Sequence, residues 1–215
     1  MFSYLVLMQN NENSTPTERL RKFFQKPGPE LSDRVPPGQH LAKGFPVLTY
    51  GDTPSVSTSS WQFKVWGLAK EKTFTWEDFM AMPQTGFTAD FHCVTTWSKL
   101  DVQWTGIKVT DFMRQIEVDP KAVHLMEHSY GGYTTNISME DFLREENFFA
   151  HTLFGDPLPV EHGGPMRLVV PHLYAWKSAK WINGLEFLGK QELGFWERNG
   201  YHYRGEPWAE ERYSG

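Results

Sequence analysis

His162-Gly163-Gly164-Pro165-Met166-Arg167-Leu168-Val169-Val170-Pro171, with Trp176-Lys177-Ser178-Ala179-Lys180-Trp181 close behind it, is the stretch on which the reading of this chain turns. The two glycines permit close backbone approach to a ligand. Arg167 carries a rigid fork of donors suited to phosphate. The segment downstream adds two lysines, the Ser178 hydroxyl and backbone donors. Together these groups can converge on one anion as a backbone nest. The plainer reading is a loop-to-strand turn whose arginine makes a surface ion pair. A nucleotide P-loop is excluded, because the Gly-x-x-x-x-Gly-Lys-Ser/Thr spacing is absent.

Upstream lies Phe91-His92-Cys93-Val94-Thr95-Thr96-Trp97-Ser98, which holds the chain's one cysteine. A single cysteine cannot close an intramolecular disulfide. Cys93 is then either a small buried hydrophobe or a strand-end thiolate facing a cavity, where it suits a thiophilic metal. No Cys-x-x-Cys or His-x-x-x-His spacing accompanies it, so a metal here needs a second ligand source such as a dithiolene cofactor. A thiolate–imidazole pair with His92, His128 or His162 is the hydrolase alternative. His128, Ser129, Tyr130 and Tyr133 flank Gly131-Gly132 and are expected at a cavity rim. Arg34-Val35-Pro36-Pro37-Gly38-Gln39-His40 reads as a stiff, polyproline-like stretch, either a linker or a holder of polar side chains.

The chain has 215 residues, enough for one well-buried domain. Its net charge of −5 argues against a generic nucleic-acid or anionic-membrane surface. Aromatic residues make up 15%, with nine Trp, which suits either a lined cavity or dense core packing. The N-terminal apolar run is far shorter than the about 20 residues of a membrane span. It has neither a basic leader nor a twin-arginine pair, so a cytoplasmic location and no membrane insertion are expected.

Residues 1–25 read as an N-terminal extension, partly mobile, with a short helix over Glu18–Gln25; residues 26–215 read as one domain. Four prolines make the arm from Lys26 to Thr58 irregular. Strands are expected over Trp61–Trp66, Thr88–Val94, Ala122–Glu127, Phe148–Phe154, Met166–Val170 and Trp181–Leu188, with a short extended piece at Trp104–Ile107. Thr75 with Asp78, Thr110, and Ser138 with Asp141 are expected to open short helices. The tail from Gly194 shows no periodicity. Short strands mixed irregularly with short capped helices predict an α+β fold.

The set Arg-x-Pro-Pro-Gly-Gln, Phe-His-Cys-Val-Thr-x-Trp-Ser, Gly-Tyr-Thr-Thr-Asn and His-Gly-Gly-Pro-Met-Arg-Leu-Val-Val-Pro resembles the sulfite oxidase-like molybdopterin-binding oxidoreductases. The likeness is to the small bacterial cytoplasmic branch, related to the methionine sulfoxide reductase catalytic subunit. It implies the sulfite oxidase molybdopterin-binding fold, with mixed sheets and short helices, and no separate dimerisation or heme domain. It implies a molybdenum-molybdopterin cofactor and two-electron oxygen-atom transfer on a small S- or N-oxide, with an unidentified electron donor or acceptor. By that resemblance Cys93 is the molybdenum ligand. Arg34, Gly38, Gln39, Ser129, His162, Arg167, Ser178, Ala179 and Lys180 are cofactor contacts; Tyr133 and His128, flanking the glycine pair, are expected as catalytic pocket-wall groups that offer hydrogen bonds to a neutral oxide. No arginine follows Cys93 shortly, as it does in true sulfite oxidases, which argues against sulfite as substrate. A non-catalytic molybdopterin-binding module is the alternative of another class.

Overall fold

The computed structural model describes residues 33–214. The expected extension over 1–25 and its helix lie outside the described residues. The chain divides into two compact units, 1–34 and 35–215. Arg34 closes the first unit, and the second carries the fold.

Two mixed sheets make the second unit. The first holds β1 (His40–Leu41), β4 (Thr85–His92), β5 (Trp97–Lys108), β8 (Phe148–Leu153), β9 (Asp156–Pro157) and β10 (Arg167–Val169). Long β5 is its spine: β4 pairs antiparallel along it, while β1 runs parallel at Trp97–Ser98 and β8 antiparallel from Trp104 to Lys108. The second sheet has the order β3 (Lys72–Thr75), β2 (Gln62–Gly67), β11 (Ile182–Leu188), β6 (His124–Ser129), β7 (Thr134–Ser138). In it β2 and β11 are parallel and the other pairs antiparallel.

The helices are single turns or little more: α1 (Trp76–Met80), α2 (Val109–Met113), α3 (Met139–Phe142) and α4 (Phe195–Arg198). At α1 the expected capping box is complete, with Thr75 Oγ1 accepting from the Asp78 amide and Asp78 Oδ2 from the Thr75 amide. Ser138 likewise accepts from the Asp141 amide at α3. Thr110 does not cap α2, which begins one residue earlier behind Lys108.

Strand alternation divides the apolar residues between two cores. Leu168, Phe149 and Ile107 enter a cluster with Trp61, Phe63, Phe79 and Phe112. Val169, Phe148, Ala150 and Trp104, one residue out of phase, enter a second cluster with Phe91, Cys93 and Trp176. Arg167 shares the phase of Val169, so it projects on the side of Cys93.

Candidate active site

A cavity of about 360 Å³ opens on that second face. Its wall includes Cys93, His162, Arg167, Ser178 and Lys180, together with Phe45, Tyr50, Tyr133, Trp176, Trp196 and Tyr201. The two segments singled out in the sequence therefore meet across one space.

Strand β4 ends at His92, and the chain turns at once. The Thr96 amide donates to the Cys93 carbonyl and the Cys93 amide to the Trp97 carbonyl, with Thr96 left-handed at φ 73°. This turn holds the thiol at the cavity wall, 3.2 Å from Thr95 Oγ1. Burial pushes the Cys93 thiol up, while Thr95, Arg212 and Lys180 pull it back. No histidine pairs with it among the described residues' hydrogen bonds. His92 Nδ1 meets Ser98 Oγ at 2.8 Å, His162 stacks on Phe45 with ring centroids 4.6 Å apart, and His128 Nε2 lies 3.2 Å from Glu186. The hydrolase arrangement is not assembled.

Arg167 is 2% exposed. Its guanidinium donates to the carbonyls of His162 (2.9 Å), Ser178 (3.0 Å) and Leu168 (3.3 Å). It also lies 5.1 Å from the ring centroid of Phe91 and 5.5 Å from that of Trp104. Burial pulls its pKa down to about 9. Gly163 makes this proximity possible: it sits at φ 108°, and a Cβ there would lie 3.0 Å from Lys180 Cα and 3.1 Å from Arg167 Cβ. Lys180 uses all three ammonium protons, donating to Leu48 O, Thr49 Oγ1 and Glu161 O at 2.8–3.0 Å. Burial first, then Arg167, lowers it to about 7.

The family model for the oxidoreductase molybdopterin binding domain matches residues 50–196. The chain belongs to that family.

Family members are enzymes that carry molybdenum on molybdopterin, and this chain is a molybdopterin-binding oxidoreductase. It is 43% identical over 187 residues to "Uncharacterized oxidoreductase YuiH" of Bacillus subtilis (strain 168), covering 86% of this chain and 94% of that one. It is 29% identical to "Putative protein-methionine-sulfoxide reductase subunit YedZ1" of Azospira oryzae, covering 79% of this chain and 66% of the relative. The crystal structure of the sulfane dehydrogenase SoxCD from Paracoccus pantotrophus shares the fold at TM-score 0.60 and 21% identity, over 69% of this chain and 42% of that one. The expected α+β fold with mixed sheets stands.

The residues present fit a molybdopterin. One soft sulfur faces the cavity where a thiophilic metal needs it, and a guanidinium and an ammonium face it where a phosphate needs them. Cys93, His162, Arg167, Ser178, Lys180 and Tyr133 line the cavity. Tyr133 donates its hydroxyl proton to the Trp176 carbonyl at 2.6 Å.

The remaining expected residues of this unit do not line the cavity. His128 sits on β6 against Trp66, at 4.7 Å between ring centroids. Ser129 is buried in β6, where Ile182 of β11 pairs with it. The Ala179 amide donates to Glu127 Oε2. Gln39 donates to the Cys93 carbonyl from behind the turn, and Gly38 packs beside Glu210 and Arg212. Arg34 belongs to the other unit and is exposed; the cofactor contact expected of it is not tested by this cavity.

Sequence reasoning missed Phe45, Trp196 and Tyr201 on the wall. It also missed the buried carboxylates Glu127 and Glu197 behind the Trp176–Lys180 loop. Glu127 is pushed well above the usual carboxylate range by burial.

Proposed function

We propose that this oxidoreductase catalyses two-electron oxygen-atom transfer on a small, neutral S- or N-oxide, exchanging electrons with a separate donor or acceptor. When bound, the molybdenum-molybdopterin supplies the redox step. Cys93 holds the metal through its thiolate, and Arg167 and Lys180 hold the phosphate. The aromatic side chains around them exclude water from the site.

One observation carries the substrate reading: the cavity wall near Cys93 is Phe91, Val94, Trp97, Trp176 and Tyr201, and the nearby Arg212 does not line the cavity but spends its guanidinium on the Val94 and Pro37 carbonyls. A small dianion needs cationic donors beside the metal ligand. A neutral oxide needs only shape and a few hydrogen bonds. The name of the Azospira oryzae relative, a putative protein-methionine-sulfoxide reductase subunit, supports an S-oxide as the reacting group.

Steady-state kinetics on sulfite and on neutral S- and N-oxides, with one artificial electron mediator, test the reading. The oxides should show the higher kcat/KM, and Cys93→Ser should abolish turnover. Saturable sulfite oxidation at micromolar concentration would overturn the substrate class, and full activity in Cys93→Ser the ligand assignment.

A further inference from the structure

We infer that Gln39 and Arg212, neither of them inside the family-matched core of residues 50–196, are positioning residues that hold the Cys93 turn. Gln39 Nε2 donates to the Cys93 carbonyl at 3.0 Å. Arg212 Nη1 donates to the very next carbonyl, Val94, at 2.7 Å, and Nη2 reaches the Pro37 carbonyl at 3.2 Å. Its guanidinium lies 5.1 Å from the Tyr174 ring centroid, and the side chain is 14% exposed. Two segments at opposite ends of the folded unit thus grip consecutive carbonyls of one turn, and Arg212 also ties those segments to each other.

Independent features show that the approach is built. Gly38 adopts φ 70°, a left-handed backbone that favours glycine, and a Cβ there would lie 2.9 Å from Glu210 Oε1 and 3.1 Å from Arg212 Nη2, so a side chain would displace the tips of these two tail groups. The tail is anchored where it turns back: the His202 amide donates to the Arg212 carbonyl, the Ser214 amide to the Gly200 carbonyl, and Tyr201 bridges Tyr213. Tyr201 itself lines the cavity.

The thiol depends on this grip. Its position follows from the backbone of a turn with Thr96 at φ 73°. Fixing the carbonyls of Cys93 and Val94 from outside fixes the direction from which the sulfur faces the cavity. Groups that orient a metal ligand in this way typically affect metal affinity or activity by ~10–100-fold. This inference rests on Cys93 being the molybdenum ligand.

The test uses the holoenzyme of Arg212→Gln, Arg212→Lys, Gln39→Met and Cys93→Ser. The readouts are molybdenum and pterin content, the molybdenum(V) electron paramagnetic resonance spectrum, kcat and KM. Arg212→Gln should keep the pterin, alter the molybdenum(V) spectrum and lower kcat by roughly ten-fold with KM little changed. Gln39→Met should alter the spectrum in the same sense. Arg212→Lys keeps the charge but replaces the planar fork with a compact, more strongly hydrated ammonium that does not reproduce its geometry on the Val94 and Pro37 carbonyls, so it should lie between wild type and Arg212→Gln. A wild-type spectrum and kcat in Arg212→Gln overturns the inference. Should that variant fail to fold, Gln39→Met decides: a wild-type spectrum and kcat there overturns it equally. A wild-type spectrum in Cys93→Ser instead overturns the ligand assignment on which the inference rests.

Discussion

Arg167 and Lys177 are both withdrawn from water, and the protein treats the two charges in opposite ways. Lys177 is sealed. Its three ammonium protons are shared among four oxygens, Glu197 Oε1 at 2.6 Å, the Asn136 backbone and side-chain oxygens at 2.8 Å and the Tyr203 carbonyl at 2.6 Å, and both side chains of the ion pair are 0% exposed. Its charge is consumed internally. Arg167 is held by neutral carbonyls and aromatic faces, and no carboxylate lies within ion-pair distance of it among the described residues. Its charge stays unmatched on a cavity wall. A buried cation matched to a carboxylate holds the fold together, whereas one held by dipoles keeps its attraction for an incoming anion.

The comparison breaks most visibly at Lys177. Lys177→Met leaves Glu197 buried without its cation and should cost about 3–5 kcal/mol of stability, read by denaturant unfolding. The double variant Lys177→Met/Glu197→Gln should recover part of that loss, because the neutral amide that replaces the carboxylate keeps an oxygen to accept from Thr135 Oγ1 and Trp176 Nε1. A loss in Lys177→Met small enough to match a surface substitution would contradict the sealed-pair account.

Arg167 sharpens the other side. Charge-assisted contacts contribute about 1.5–3 kcal/mol each, so Arg167→Met should lower cofactor occupancy by roughly ten-fold or more under limiting cofactor. Its unfolding free energy should fall less than that of Lys177→Met. Unchanged molybdenum and pterin content would remove Arg167 from the phosphate site.

A third buried charge gives the smallest effect. Asp141 accepts from Arg204 Nε at 3.0 Å and Nη2 at 3.1 Å, and His172 Nε2 lies 3.3 Å away. Burial alone would raise its carboxyl, but the His172 ring beside it and the hydrogen bonds from Arg204 hold it below the usual range. A depressed carboxylate stabilises the fold fully above its unfolded value near 3.8, and this contribution is lost as pH falls through the folded value. Asp141→Asn should therefore cost about 1–3 kcal/mol near neutral pH, and the gap to wild type should close below about pH 4. A gap that stays constant into acid would show that the carboxylate's charge is not what matters there.

Much of the fold was legible where local chemistry decides it. Thr75 and Asp78 marked a helix start because a capping box is satisfied within four residues of chain. Other elements were hidden. β5 was read as a short piece at Trp104–Ile107, but it runs from Trp97 to Lys108 through a polar stretch with Asp101 at φ 55°. Its strand character comes from pairing with β4 along one edge and with β1 and β8 along the other. β1, β3 and β7 are short, and they exist because a neighbour completes their hydrogen bonds. His128 shows how a correct strand can still mislead. β6 was expected to end at Glu127 but continues to Ser129. Alternation then buries Glu127 toward Ala179 and turns His128 to Trp66.

The sequence by itself determined the chemical inventory: one thiol beside a turn, a glycine pair followed by an arginine, and a hydroxyl and lysines just downstream. These are properties of residue type and near spacing. Which lysine faces the cavity, which carboxylates lie behind the loop, and that Gln39 and Arg212 meet at Cys93 were decided only by the tertiary structure. The reason is that burial, ion pairing and the direction of a side chain depend on neighbours distant in sequence, and Lys177 and Lys180 differ in just those neighbours.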